Sequence, residues 1–219
     1  MLPLRDNVPT RSFPVVTVAL IAANVLVWVL YQLPDLEGSV TELAYQPCEV
    51  ENSCPTVGQD WPLTALTSMF MHGSWAHLLG NMLFLWIFGD NVEHAMGSIR
   101  FLIFYLLCGI AATLAHILMG PSSEIPSLGA SGAISGVLGA YIVLFPKARV
   151  RVLVFRMITY MPAVAVIGMW IVLQFINGIG AMAQTEETGG VAYAAHVGGF
   201  LAGLAMVWIF RRRTGMARV

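Results

Sequence analysis

Gly129-Ala130-Ser131-Gly132-Ala133-Ile134-Ser135-Gly136 opens an apolar segment with a serine set among glycines and alanines. The segment is short and its side chains are small, which suits a central helix walled in by other helices rather than by lipid. A later segment carries His196 at a matching place. Hydroxyls and imidazoles are costly to keep inside a membrane, so both are functional candidates. Of the 219 residues, 58% are hydrophobic and 11% charged, whereas soluble domains carry roughly 25% charged residues. With a mean hydropathy of +0.76, the chain is a membrane protein. A net charge of −1 offers no footprint for nucleic acid.

A spanning helix needs about 20 mostly apolar residues. Six stretches qualify, 15–34, 74–92, 100–119, 131–146, 161–182 and 192–210, with the fourth short and central. The chain is therefore expected to be all-α, a multi-pass bundle of six transmembrane helices. Its lysines and arginines set the orientation. Arg5, Arg11, Arg100, Lys147, Arg149, Arg151, Arg156, Arg211, Arg212, Arg213 and Arg218 all fall on one side, giving an N-in, C-in topology. Asp35, Glu37, Glu42, Glu49, Glu51, Asp60, Glu124, Glu186 and Glu187 fall on the other. Residues 1–14 then form a cytoplasmic segment, 15–210 the six-helix domain and 211–219 a basic cytoplasmic tail. The long outer loop 35–73 brings Trp61 and Phe70 towards the interface, just ahead of Trp75. Cys48 and Cys54 lie in that loop and either form a disulfide on an oxidising side or remain two thiols; Cys108 lies in an apolar run and packs as a small hydrophobe.

At about 1.5 Å per residue, Ser131, His196, His77 and Asn81 all lie within about two turns of the outer surface. They come from three separate helices. Gly132, Gly136 and Gly139 form one stripe on the fourth helix, and Gly199 and Gly203 form another on the sixth, on the face of His196. Such stripes let backbones approach closely in a membrane. Serine needs a base to become a nucleophile, and histidine is the usual one. All twelve acidic residues lie in tails, connections or helix ends, so the pattern is a Ser–His dyad rather than a triad. The Ser131 backbone N–H, the Asn81 amide and the His77 ring are the candidate oxyanion donors.

His77-x-x-x-Asn81, Gly129-x-Ser131-Gly132 and Ala195-His196 followed by Gly199-x-x-x-Gly203 resemble the motifs of the rhomboid intramembrane serine proteases, over about residues 15–210. The resemblance implies Ser131 as nucleophile, His196 as base, and His77, Asn81 and the Ser131 amide as oxyanion stabilisers. It also implies that the loop 35–73 lies partly in the membrane surface. Glu93 and Gly97 resemble the family's end of the second helix and read as structural. Two positions depart from the family pattern. Pro62 follows Trp61 where many members have Trp-Arg, and Ser135 stands where many have a tyrosine stacked on the histidine.

His72 and His116 read as amphipathic residues at the outer interface, and His94 as a cation at a helix end. A zinc site from His72, His77 and His196 is disfavoured because no HExxH pattern exists. No metal or other cofactor is expected. The expected activity is cleavage of transmembrane protein substrates within the lipid bilayer, near its outer face, with small or helix-destabilising residues at the cut. The alternatives are a catalytically inactive relative that binds membrane helices and a histidine-relay transporter. A compact six-helix core suggests a bacterial plasma membrane as host.

Overall fold

The computed structural model describes residues 2–10, 12–54, 61–183 and 193–212, with backbone alone for 177–183. Asp60, Glu186 and Glu187 among the acids, and Arg11, Arg213 and Arg218 among the bases, lie outside the described residues. Along the chain come β1 (Leu2–Asp6), then α1 (Val15–Leu26) extended by a π-turn over Val27–Gln32, then α2 (Leu36–Leu43). After a 3-10 turn at Pro47–Glu51 come α3 (Leu63–Thr67) and α4 (Trp75–Phe84), the latter running through a π-turn at Leu85–Gly89 into α5 (Asp90–Met96). There follow α6 (Ser98–Met119), α7 (Ser131–Leu144), β2 (Arg149–Val154), β3 (Met157–Pro162), α8 (Ala163–Ala183) and α9 (Tyr193–Phe210). All six apolar stretches are thus helical. Val15–Gln32, Ser98–Met119 and Tyr193–Phe210 are long and apolar enough to cross a membrane. The fold is a mostly helical membrane bundle.

Glycine decides what touches α7. A Cβ at Gly199 would stand 2.1 Å from the Gly132 carbonyl oxygen, and one at Gly203 would stand 2.0 Å from that of Gly136. At Gly139 a Cβ would meet the Phe200 carbonyl at 2.5 Å, and at Gly136 the Cys108 sulfur at 2.4 Å. Backbone therefore lies on backbone between α7 and α9, while α6 closes the other flank with Cys108 and Ala112. Nearly all of α7 is buried as a result, from Gly132 to Tyr141.

The all-α expectation needs one correction. β1, β2 and β3 form an antiparallel sheet in that order, with Pro3 opposite Val152 and Arg151 opposite Tyr160. Arg149-Val150-Arg151-Val152 alternates with period two, and Val150 and Val152 are fully buried, which is the pattern of a half-buried strand. Reading the stretch only as a basic connection hid it. β1 brings Asp6 beneath α7, where its carboxylate accepts hydrogen bonds from the Tyr141 hydroxyl and, at 2.8 Å, from the Asn91 amide. Burial pushes the Asp6 carboxyl up to about 6, against the Tyr141 bond that holds it down and with Asp90 adding to the rise.

Glu93 ties the start of α1 to the bundle. Its carboxylate accepts from the Val16 and Thr17 N–H groups at 3.0 and 2.8 Å, and from the hydroxyls of Thr17 and Ser98 at 2.8 and 2.7 Å. An anion at a helix N-terminus is the favourable sign.

Gly203→Ala is expected to lower the melting temperature in detergent, at a cost of at least the 1–3 kcal/mol of ordinary overpacking because the clash is with backbone. Gly168→Ala, with nothing within 4 Å of its Cβ, is expected to stabilise α8 by about 0.5–1 kcal/mol. Equal losses at both positions would contradict this account of α7 and α9. A second expectation follows from Asp6. Its folded-state pKa lies above the ordinary value, so its contribution is full below about pH 4 and is lost as pH rises through about 6. Asp6→Asn is expected to flatten that part of the melting-temperature profile, and an unchanged slope would refute it.

Candidate functional site

Ser131 opens α7, so its N–H has no partner carbonyl within the helix, and His196 lies near the start of α9. The close approach at Gly132–Gly199 brings them together: Ser131 Oγ is 2.7 Å from His196 Nε2. His196 Nδ1 is 3.0 Å from Gln174 Oε1 on α8. An amide oxygen only accepts, so Nδ1 carries the ring hydrogen and Nε2 presents its lone pair to the serine hydroxyl. The Trp170 ring, one turn before Gln174, packs against the imidazole with centroids 5.6 Å apart. Ser135, at the tyrosine position of the family pattern, does not reach the histidine. Its hydroxyl donates to the Ser131 carbonyl at 2.6 Å, the back-bonding usual for a serine within a helix.

His77 and Asn81 lie on one face of α4 against the irregular segment that leads into Ser131. Gly129 has φ +121°, and a Cβ there would sit 2.8 Å from the His77 ring and 3.5 Å from Asn81 Nδ2. Glycine is needed on both counts. The Gly73 N–H reaches His77 Nδ1 at a long 3.5 Å, which leaves the Nε2 edge turned towards Gly129.

His72 corrects an expectation. It is fully buried instead of lying at the interface, its ring meets His77 edge-on at 5.0 Å, and its Nε2 is 3.0 Å from Asn81 Nδ2. Its backbone is clamped by Gln32 at the end of the α1 π-turn, whose amide donates to the His72 carbonyl at 2.9 Å and accepts from the His72 N–H at 2.8 Å. The chain Gln32–His72–Asn81 fixes the side of the site facing α1. His116 is half-buried on α6, and His94, at the end of α5, is 2.9 Å from the Ser12 hydroxyl. Among the described residues no three of His, Cys, Asp and Glu converge as a metal-binding group.

Gln32, Trp170 and Gln174 are the residues that sequence reasoning missed, and His72 is the one it misplaced. Gln32 and Gln174 carried a usable signal, since each is an amide inside an apolar run.

Above Ser131 opens a cavity of about 970 Å³, mostly apolar, bounded by α2, α4, α8 and the connection 125–129. The described part of the outer loop ahead of residue 55 is fastened beside it. Tyr45 exchanges backbone hydrogen bonds with Ser127 at 3.1 and 2.6 Å, Cys48 N–H donates to the Ser123 carbonyl at 3.1 Å, and Cys48 and Cys54 form a disulfide. The loop is thus anchored without the Trp-Arg pair.

The molecule is a helical membrane protein with a serine–histidine pair at the foot of an apolar cavity. The rhomboid domain model matches residues 59–213, and the chain belongs to the rhomboid family. It is 31% identical to Rhomboid protein 1, mitochondrial, of Saccharomyces cerevisiae, over 87% of this chain and 51% of that protein. It is 41% identical to Rhomboid protease GluP of Bacillus subtilis over 58% of this chain and 24% of that protein. With Rhomboid-like protein 11, chloroplastic, of Arabidopsis thaliana, the identity is 29% over 67% of this chain and 52% of that one. The chain spans about half the length, or less, of these relatives. They also correct the expected bacterial plasma membrane. Relatives that match along most of this chain include one named for the mitochondrion, and another relative is named for the chloroplast. A compact helical core is therefore no mark of a bacterial plasma membrane.

Gln174→Ala is expected to remove the preference for hydrogen on Nδ1 of His196. In ¹⁵N-histidine NMR, the wild type should show a single neutral tautomer for His196 and the variant a mixture. A single unchanged tautomer in the variant would show that Gln174 does not orient the ring.

Proposed function

We propose that the protein is an intramembrane serine endopeptidase that cuts transmembrane protein substrates within the bilayer, near the face onto which the cavity opens. The observation that carries this reading is the 2.7 Å contact between Ser131 Oγ and His196 Nε2, in a chain of the rhomboid family. In this reading residues 15–210 are the protease domain, crossing the membrane six times with both ends on the side of the basic residues. Residues 1–14 and the basic tail 211–219 then lie on that same side.

Ser131 Oγ attacks the scissile carbonyl carbon while His196 Nε2 takes its proton. The carbonyl oxygen becomes an oxyanion, for which the donors are the Ser131 N–H, the Asn81 amide and the His77 ring N–H, the type of preorganised donor set that stabilises developing charge most effectively. Collapse breaks the C–N bond, and the proton on Nε2 passes to the leaving amine. Water then attacks the acyl-serine with His196 again as base, and the second product leaves as a carboxylate. Gln174 holds the tautomer throughout, the orienting part of the role an aspartate takes in a triad. The cavity admits the water this chemistry requires.

Purified protein treated with a fluorophosphonate is expected to label, and Ser131→Ala to abolish labelling and cleavage of a model transmembrane substrate. Losing the base is expected to cost several orders of magnitude in rate in His196→Ala. A wild type that shows no Ser131-dependent labelling and cleaves no model transmembrane substrate would leave the membrane-helix binder as the better reading.

A further inference from the structure

Arg100, Arg211 and Arg212 line a crevice of about 1200 Å³ between the start of α6 and the end of α9. Arg211 follows His196 along α9 by about 22 Å at 1.5 Å per residue, so the crevice lies at the end of the bundle opposite the serine–histidine pair. No acid lines it. The acid nearest in sequence to the start of α6, Glu93, is 2% exposed and its carboxylate is engaged by Val16, Thr17 and Ser98.

The arginines are held in place. The Arg212 N–H donates to the Ala95 carbonyl at 3.0 Å, and its guanidinium lies against Gly97, where a Cβ would stand 2.3 Å from Nη2. The Arg211 guanidinium sits 4.3 Å above the centre of the Trp208 ring, which fixes its plane. Arg100 projects from the first turn of α6. That helix starts with no side-chain cap and no acid in its first turn, so its dipole adds to the positive potential instead of opposing it. Three guanidinium groups line one crevice, Arg100 at the positive end of a helix, and an anion seated there is attracted by all three. The planar fork of arginine fits phosphate oxygens in pairs.

The rim supplies the second half of the inference. Ile99 and Ile209 are 78% and 76% exposed and Trp208 57%, all beside the arginines and on the flank that a bilayer would surround. A free phosphate ion has no use for such a collar, whereas acyl chains do.

We propose that this crevice is a headgroup site for an anionic phospholipid of the leaflet opposite the Ser131 cavity. Its phosphate is held by Arg100, Arg211 and Arg212, and its chains lie along Ile99, Trp208 and Ile209. The site does not depend on the protease reading.

The test is native mass spectrometry of the full chain released from detergent with equal amounts of phosphatidylglycerol and phosphatidylcholine. The wild type is expected to retain one phosphatidylglycerol in preference. Arg212→Gln is expected to weaken that retention about fivefold, the effect of one basic residue at a membrane surface, while Arg151→Gln on the outward face of β2 leaves it unchanged. Should Arg212→Gln fail to fold, as judged by its melting temperature, Arg100→Gln serves the same comparison because Arg100 is exposed. Equal retention of the two lipids would overturn the proposal, as would an equal loss in Arg151→Gln, which would mean diffuse surface charge. Complete displacement by millimolar inorganic phosphate would also overturn it, since the site would then belong to a free anion.

Discussion

The carbonyl oxygens of Gly132 and Gly136 stand where side chains on α9 would otherwise be, and the rest of the structure depends on that vacancy at Gly199 and Gly203. Lipid tails are as apolar as leucine, so two helices in a bilayer gain little from hiding apolar surface against each other. What holds α7 to α9 is close packing and the polar contacts that closeness permits. A methyl group at either position on α9 would separate the helices by more than a hydrogen bond can stretch. Ser131 directly precedes Gly132 and His196 lies about one turn before Gly199, so their 2.7 Å contact follows from the same approach.

A second constraint works from the opposite wall. Gln32 is fully buried, and two hydrogen bonds to the His72 backbone satisfy its amide. His72 in turn meets Asn81, and Asn81 faces Gly129 in the segment that leads into Ser131. In an apolar surrounding the Gln32 amide and the His72 backbone would be costly to leave unpaired, so their two hydrogen bonds hold this segment in one arrangement. The π-turn that ends α1 belongs to this scheme, because the extra residue per turn changes where Gln32 points.

The helices were legible in the sequence because hydropathy is a direct record of the solvent around each segment. The glycine stripes of α7 and α9 were legible too, since backbone contact leaves its mark as missing side chains. Three features were hidden, each for its own reason. The strand Arg149–Val154 carried a period of two, but its arginines also fitted a basic connection, and its partner β1 lies some 145 residues away in the chain. His72 looked like an interface residue because nothing local reveals that Gln32, forty residues earlier, closes over it. Gln174 lies on α8, a helix without the paired motifs of α4, α7 and α9, and only the packing of α8 against α9 turns it towards His196.

Gln174 also shows why a neutral group suits this position. A carboxylate beside His196 would have to be stripped of water, and in a low-dielectric interior that penalty often exceeds what its partner returns. An amide oxygen costs far less to bury and still accepts the Nδ1 hydrogen at 3.0 Å, so the ring is fixed in one tautomer without a buried charge at rest. What the amide lacks is charge to balance an imidazolium formed during proton transfer. In the proposed mechanism that balance comes from the oxyanion itself, formed in the same step on the far side of Ser131 and held by donors on α4 and α7. The cation and the anion then appear together and vanish together. A dyad in a membrane thereby stays neutral except while the reaction makes both charges at once.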